Sequence, residues 1–306
     1  MSRIDMSLSA PIILLTMCLL ILGGQRLTAA DPAEYQAGIE EWHRQRAASL
    51  TSETGWLSLI GLFWLEEGDN TFGSSADRDI VLPETKSPPH AGTLNLQGGR
   101  VHLRVAGGTV IVHEAEPVTD LDLAVDTTGH PTILDLGDLQ FYVIERAGRF
   151  GLRIRDRQHP ARFEFSGIEA FPIDPQWRLT GRLETHDPPR TIKIPNVLGQ
   201  VTPQPSPGTA VFEVAGAEYH LDALAGPNDT LYLIFADQTS GRDTYGGGRF
   251  LYSEPVAADG SVVLDFNKAY NPPCAFTDYA TCPLPPRQNK LSVRIDAGEK
   301  SYGRQH

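Results

Sequence analysis

The stretch that decides the fold is residues 140–154, which read QFYVIERAGRFGLRI. Two runs rich in apolar residues, Gln140–Glu145 and Phe150–Ile154, flank a turn at 147–149 that contains a glycine. Such a pair of runs around a short glycine turn is typical of a β-hairpin. Similar short runs broken by turn residues continue on both sides of this stretch, and they predict a mostly β chain.

The other candidate strands are spread over the whole chain at short intervals. In the first half they are Leu62–Leu65, Ile80–Leu82, Thr93–Leu96, Val101–Val105 and Thr109–Val112. In the second half they are Thr191–Ile194, Ala210–Val214, Glu218–Leu221, Leu231–Ala236, Arg249–Tyr252, Val262–Phe266 and Leu291–Ile295. This spacing is typical of a β-sandwich or barrel, and it predicts two β-rich halves.

One amphipathic helix is predicted at residues 31–50. The Asp-Pro pair at 31–32 is a helix start signal, and Tyr35, Ile39 and Trp42 follow at helical spacing. We expect this apolar stripe to pack on a sheet, and a partner-binding face is the alternative.

Residues 1–30 predict a cleaved signal peptide. Arg3 is followed by an apolar run at 10–22 and by small residues at 27–30, with cleavage expected before Asp31. The expected location is therefore periplasmic or secreted, with no membrane attachment after cleavage.

Prolines suggest where the two halves meet. Four prolines lie between 172 and 189, so we expect the junction near 172–190. The predicted organisation is a sandwich-like half at 51–175 and a second β-rich half at 176–306.

The composition excludes several classes of protein. The chain of 306 residues has 29 glycines and 23 prolines, which argues against a helical bundle, and its 41% hydrophobic content argues against disorder. The net charge of −12 argues against nucleic acid as a partner.

The densest polar region is the segment 237–271. Its candidate catalytic carboxylates are Asp237, Asp243 and Asp265, and its candidate ligand-binding residues are Arg242, Tyr245, Gly247, Arg249, Asn267, Lys268 and Asn271. In one interpretation the basic residues hold an anionic group beside the glycine run 246–248 while an aspartate acts as general base. In the other, a buried Asp–Arg network only fixes the glycine turn.

Three functions follow from these interpretations. The first is binding of a small anionic or polar ligand through 237–271, the second is a hydrolase with an aspartate base, and the third is a structural or interaction domain. Convergence of the three aspartates with Arg249 in an open cleft would favour the first two. We expect no cofactor, because the glycines do not form a phosphate-binding loop and common hydrolase signatures are missing.

Two cysteines, Cys274 and Cys282, remain after removal of the leader. Export predicts a disulfide between them, and a nucleophilic Cys274 is the alternative. No metal is expected, since two cysteines at this spacing with no histidine between 270 and 303 are a poor zinc site.

The tail 263–276, VLDFNKAYNPPCAF, resembles the hallmark of a bacterial and archaeal family known as domain of unknown function 1684. The segments 55–57 and 62–65, together with 237–249, are similar to other parts of that family. The resemblance covers nearly the whole chain after the leader, and it implies no established activity.

A second resemblance lies in the first half. The segments 68–74, 79–82 and 87–90 are similar in order to the opening of forkhead-associated domains, β-sandwiches that bind phosphothreonine. That family has an arginine directly after the second glycine, where this chain has Ser74. The resemblance implies a sandwich, while the missing guanidinium argues against phosphopeptide binding, so His90 and Ser87 are expected to be structural.

Overall fold

The structure of the protein, a computed structural model, describes residues 31–303, so the predicted signal peptide lies outside the described residues. The chain begins with helix α1, Pro32–Thr51, which confirms the predicted helix. A second, short helix is α2, Pro160–Phe163. Among residues 31–303, no helix combines the length and the apolar character that a membrane span requires.

The first half is a sandwich of two sheets. Its strands are β1 (Leu59–Trp64), β2 (Gly68–Gly73), β3 (Ile80–Val81), β4 (Gly92–Gln97), β5 (Arg100–Val105), β6 (Ile111–His113), β7 (Glu116–Val118), β8 (Asp120–Leu123), β9 (Leu134–Leu136), β10 (Leu139–Arg146) and β11 (Arg149–Asp156). One sheet has the order β1-β11-β10-β9-β6-β7 and the other β3-β2-β4-β5-β8. A single apolar core that includes Phe72, Leu94, Phe141 and Leu152 fills the space between them.

The predicted hairpin is confirmed as β10 and β11. The two strands pair antiparallel from Leu139 and Asp156 to Arg146 and Arg149. Both residues of the connecting turn, 147 and 148, have positive φ, at 49° and 77°. This is the turn geometry that matches the twist of the flanking strands.

The second half is one curved six-stranded sheet. Its strands are β12 (Arg178–Pro195), β13 (Val201–Val214), β14 (Ala217–Ala225), β15 (Leu231–Phe235), β16 (Arg249–Tyr252) and β17 (Ser261–Asp265), in the order β16-β15-β14-β13-β12-β17. The outer strands approach each other, because the backbone N–H of Glu254 donates to the carbonyl of Val263 at 3.0 Å. The mostly β fold with two β-rich halves is thus confirmed, whereas the division into domains at 51–175 and 176–306 stays a prediction.

The expected junction at 172–190 is largely strand rather than linker. Pro188 and Pro189 lie within β12, at the point where its register with β13 shifts between Thr185 and Arg190. A proline at such an irregularity removes no ladder hydrogen bond. These prolines therefore do not mark a linker, and the place of the junction stays a prediction.

The predicted strand Leu291–Ile295 is wrong. Its backbone bonds to separate partners instead of one neighbouring strand: the N–H of Leu291 donates to the Ala236 carbonyl, whereas the N–H of Ile295 donates to the Asp237 carboxylate. The C-terminal segment from 291 to 303 thus runs as an irregular chain over the second half, and it positions much of the polar region described next.

Candidate functional site

Asp237 and Arg249 form a buried ion pair. Both side chains have no exposed surface, and Nη2 of Arg249 donates to Oδ1 of Asp237 at 3.3 Å. The guanidinium also donates to the carbonyls of Ile295 and Ala297, while Oδ2 of Asp237 accepts from the Ile295 N–H at 2.7 Å. Burial lowers the pKa of Arg249, and the Asp237 charge acts against that shift. This pair therefore fixes the C-terminal segment to the sheet.

Asp265 is engaged elsewhere, under helix α1. Its Oδ1 accepts from the Tyr35 hydroxyl at 2.9 Å and from the Asn267 side chain at 3.1 Å, whereas its buried Oδ2 has no hydrogen-bond partner. Asn267 also donates to the Asp174 carbonyl and to the Tyr35 oxygen. Burial raises the pKa of Tyr35, and the Asp265 charge raises it further, so the phenol remains a donor. Burial also lowers the pKa of His43, against the charge of Asp265.

Asp243 is the third predicted carboxylate, and it lies at the surface. It accepts from Arg294 at 2.9 Å, and both side chains are more than 40% exposed. Arg242 is exposed and Lys268 is half-buried. The structure thus holds the three aspartates in three separate arrangements, of which only that of Asp237 includes Arg249.

Asn271 anchors the end of the chain to helix α1. Its N–H donates to Oε2 of the fully buried Glu299 at 2.7 Å, and its side-chain amide donates to the Lys300 carbonyl at 2.7 Å. Arg46 of the helix donates to Oε1 of Glu299 and to the Asn271 carbonyl. Burial raises the pKa of Glu299, and Arg46 opposes that shift.

Sequence reasoning did not find Arg46 and Glu299, which lie 253 positions apart and carry no local motif. Tyr35 was expected only as part of the apolar stripe of the helix. Its hydrogen bond to Asp265 could not be predicted, because the residues around Tyr35 do not indicate which strand end the helix covers.

The glycine run belongs to a tight loop between β15 and β16. Gly248 has φ 84°, and a Cβ there would lie 2.4 Å from the Pro285 ring and 2.5 Å from the Phe235 carbonyl oxygen. Only glycine fits that position. At Gly246, by contrast, a Cβ would meet only Gly241, at 3.6 Å or more. The loop is therefore closed on one side and open on the other.

An open cleft of about 650 Å³ lies beside this loop. Three segments line it: the loop from Gly241 and Tyr245 to Gly247, the segment 274–278, and the segment 301–303. Among residues 31–303, its lining holds hydroxyl groups, the rings of Phe276 and Tyr302 at 4.9 Å from each other, and the carboxylate of Asp278, but no basic side chain. Of the predicted site residues, Tyr245, Gly247 and Cys274 line this cleft.

Burial raises the pKa of Tyr245. Its hydroxyl makes a long hydrogen bond of 3.4 Å to the Cys274 carbonyl. A hydrogen bond of this length is weak, so the phenol can turn toward a bound molecule.

The two cysteines lie next to each other, and both are free thiols in the structure. Each Sγ accepts from the backbone N–H of the other residue, at 3.1 and 3.4 Å. A hydrogen bond from Cys282 lowers the pKa of Cys274, while the pKa of Cys282 is raised. The disulfide itself stays a prediction. Within residues 31–303 no cluster of three or more acidic, histidine or cysteine side chains forms a metal site.

Comparison with known proteins relates the chain to a family without a described activity. A family model described as "Protein of unknown function (DUF1684)" matches residues 163–300. An uncharacterized protein of Haloarcula marismortui, solved in solution by NMR, is 33% identical over 46% of this chain and 80% of that one, with a TM-score of 0.39. The chain belongs to this family of unknown function, which confirms the resemblance of the tail.

Forkhead-associated domains also match. The FhaA FHA domain, solved in complex with the intracellular domain of Rv3910, is 18% identical over 31% of this chain and 97% of that one, with a TM-score of 0.22. A domain from a study of phosphothreonine-dependent FHA interactions is 19% identical over 31% of this chain and 92% of that one, with the same TM-score. No functionally curated protein matches the chain.

Proposed function

We propose that the protein binds a small polar molecule in the cleft beside the glycine loop. This proposal rests on one observation: the predicted site residues of the segment 237–271 include a buried group and a group that lines an open cleft. Asp237, Arg249, Asp265 and Asn271 are buried and bonded to the frame, whereas Tyr245 and Gly247 line an open cleft of about 650 Å³. Of the predicted ligand-binding residues, these two are accessible to a molecule in that cleft.

The charge of the lining favours a neutral or cationic ligand over an anionic one. Within the part of the chain that the structure describes, Asp278 is the charged side chain of the cleft, and the rings of Phe276 and Tyr302 offer flat apolar faces. Aromatic faces and a carboxylate together suit a polar molecule with an apolar ring or a positive group. Of the anionic and polar ligands that the sequence suggested, we therefore propose a polar ligand that is neutral or cationic.

Ligand binding is favoured over hydrolysis because two of the three candidate carboxylates, Asp237 and Asp265, are already hydrogen-bonded within the protein. Asp237 accepts four hydrogen bonds, from Arg249, Thr239, Ser240 and the Ile295 N–H. Asp265 lies under Tyr35. A general base must reach its substrate proton within hydrogen-bond distance, and these two groups are occupied by the frame.

The test is saturation-transfer NMR with a library of small polar compounds in neutral, cationic and anionic forms. We expect neutral or cationic compounds to bind the wild type and the Gly107→Leu control, and to lose the transfer signal with Gly246→Leu and Tyr245→Phe. Gly107 is a suitable control because its surroundings are empty within 4 Å. Hits that persist in Gly246→Leu, or a library with no hits, would refute the cleft as the binding site.

A further inference from the structure

Arg153 and Arg155 lie two residues apart on β11, on the side of the sheet that faces away from the sandwich core. Arg153 is 3% exposed, and Arg155 is half-buried. Arg153 lies between the first-half sheet and the loop of Cys274 and Cys282, since it donates to the Thr281 hydroxyl at 3.5 Å.

Both guanidinium groups lack a carboxylate partner among the described residues. Among residues 31–303, two other deeply buried charges are matched, Arg249 by Asp237 and Glu299 by Arg46. Arg153 and Arg155 form no ion pair with a carboxylate in that part of the chain, and the Nε of each is buried without a hydrogen-bond partner. A buried charge in this state is costly unless something pairs with it.

Instead of a carboxylate, the two arginines bond to neutral oxygens: Nη1 of Arg155 donates to Oε1 of Gln140 at 3.1 Å, and both arginines share the Tyr142 hydroxyl. Nη1 of Arg153 and Nη2 of Arg155 lie 3.4 and 3.3 Å from the hydroxyl of Tyr142, so two positive groups converge on one point. Bonds of this length are weak. Burial lowers the pKa of Arg155, and the nearby charge of Arg153 acts in the same direction.

We propose that Arg153 and Arg155 form a binding site for a small oxyanion at the contact between the first-half sheet and the cysteine loop. Guanidinium groups present parallel N–H donors that match the oxygens of a phosphate, sulfate or carboxylate group, and the two unpaired Nε groups provide further donors. The anion reaches the pair from the side of Arg155, the less buried of the two, and pairs with both guanidinium groups. This site is separate from the cleft beside the glycine loop, whose lining has no basic side chain.

Isothermal titration of the purified protein with inorganic phosphate, sulfate and acetate, at constant ionic strength, tests the proposal. We expect saturable binding of at least one of these anions, weakened about tenfold or more in Arg155→Met. The matched control is Arg149→Gln on the same strand, whose guanidinium lies over the Trp64 ring and not on Tyr142. Control and wild type should bind equally.

Urea denaturation provides a second readout for the same variants. The anion that binds should raise the denaturation midpoint of the wild type and leave that of Arg155→Met unchanged, because binding to the folded state alone stabilises it. Arg155→Met is preferred over Arg153→Met, since its position is less buried and the variant should fold. No saturable binding to the wild type, or equal binding by Arg155→Met, would overturn the proposal.

Discussion

At the scale of single residues, the polar side chains of the tail motif stabilise the fold through buried bonds. Asp265 and Asn267 bond to the Tyr35 hydroxyl, and Asn271 bonds to Glu299 and to the Lys300 carbonyl. Buried polar groups of this kind are costly when left unpaired. Each motif residue therefore fixes a segment that is distant in sequence.

Glu299 provides a prediction about pH. Burial raises its pKa in the folded protein, so the folded state binds this proton more tightly than the unfolded chain does. Its contribution to stability is present below the unfolded pKa and is lost as the pH rises through the folded pKa. Glutamine does not titrate, so the free energy of unfolding of Glu299→Gln, relative to wild type, should increase from pH 4 to about pH 7.

Urea denaturation across this pH range measures the difference. The control is Glu41→Gln at the helix surface, where a hydrogen bond from Gln45 lowers the pKa of Glu41 and the slope should have the opposite sign. If the difference between Glu299→Gln and wild type stays constant or falls with rising pH, the pKa of Glu299 is not raised in the folded protein.

The sequence identified the polar residues of the segment 237–271, but it did not indicate which groups they bond to. A buried Asp–Arg network was one of the two interpretations, but the sequence did not indicate which aspartate pairs with which arginine. The bonds of Asp237 and Arg249 to 295–297 were not predictable, because the segment 291–295 has the apolar pattern of a strand and its true partners are side-chain groups distant in sequence.

At the scale of elements, helix α1 covers the second half through a face that is only partly apolar. Ile39 and Leu50 are buried, but Tyr35 and Arg46 contribute hydrogen bonds from the same side of the helix. The helix is therefore held by specific polar contacts as well as by packing.

Replacing Tyr35 by phenylalanine tests these contacts. The change removes one hydrogen bond to Asp265, whose other oxygen already has no partner, so the free energy of unfolding should fall by about 1–3 kcal/mol. Tyr279→Phe, at an exposed position, should change it by less than about 0.5 kcal/mol. Equal effects of the two changes, measured by urea denaturation, would show that the helix is held without this bond.

The sequence predicted those elements that a local pattern of residues is sufficient to specify. The hairpin of β10 and β11 follows from two apolar runs around a glycine turn, and α1 follows from its start signal and periodicity. The long strands β12 and β13 were not predicted in full because of their prolines. Residues 201–207 of β13 pair with β12 and not with β14, so one edge of this part of the strand has no neighbour. A proline whose nitrogen faces that edge costs no hydrogen bond. This tolerance depends on the position of the strand in the sheet and not on the local sequence.

At the scale of the whole molecule, the region from 237 to 303 divides into a buried frame and an open face. The frame joins the sheet, helix α1 and the C-terminal segment through Asp237, Arg249, Asn271 and Glu299. The open face is the cleft beside Tyr245 and the glycine loop. This division separates residues that stabilise the protein from residues that are available to a ligand.

The most direct measurement is the free energy of unfolding, by urea denaturation, of Asp237→Asn beside Gly246→Leu. Asp237→Asn leaves the buried Arg249 charge without its partner and should lower the free energy by about 3–5 kcal/mol. Gly246→Leu adds a side chain on the open side of the loop and should change it by less than about 0.5 kcal/mol. A stable Asp237→Asn together with a strongly destabilised Gly246→Leu would contradict the division of the region into frame and cleft.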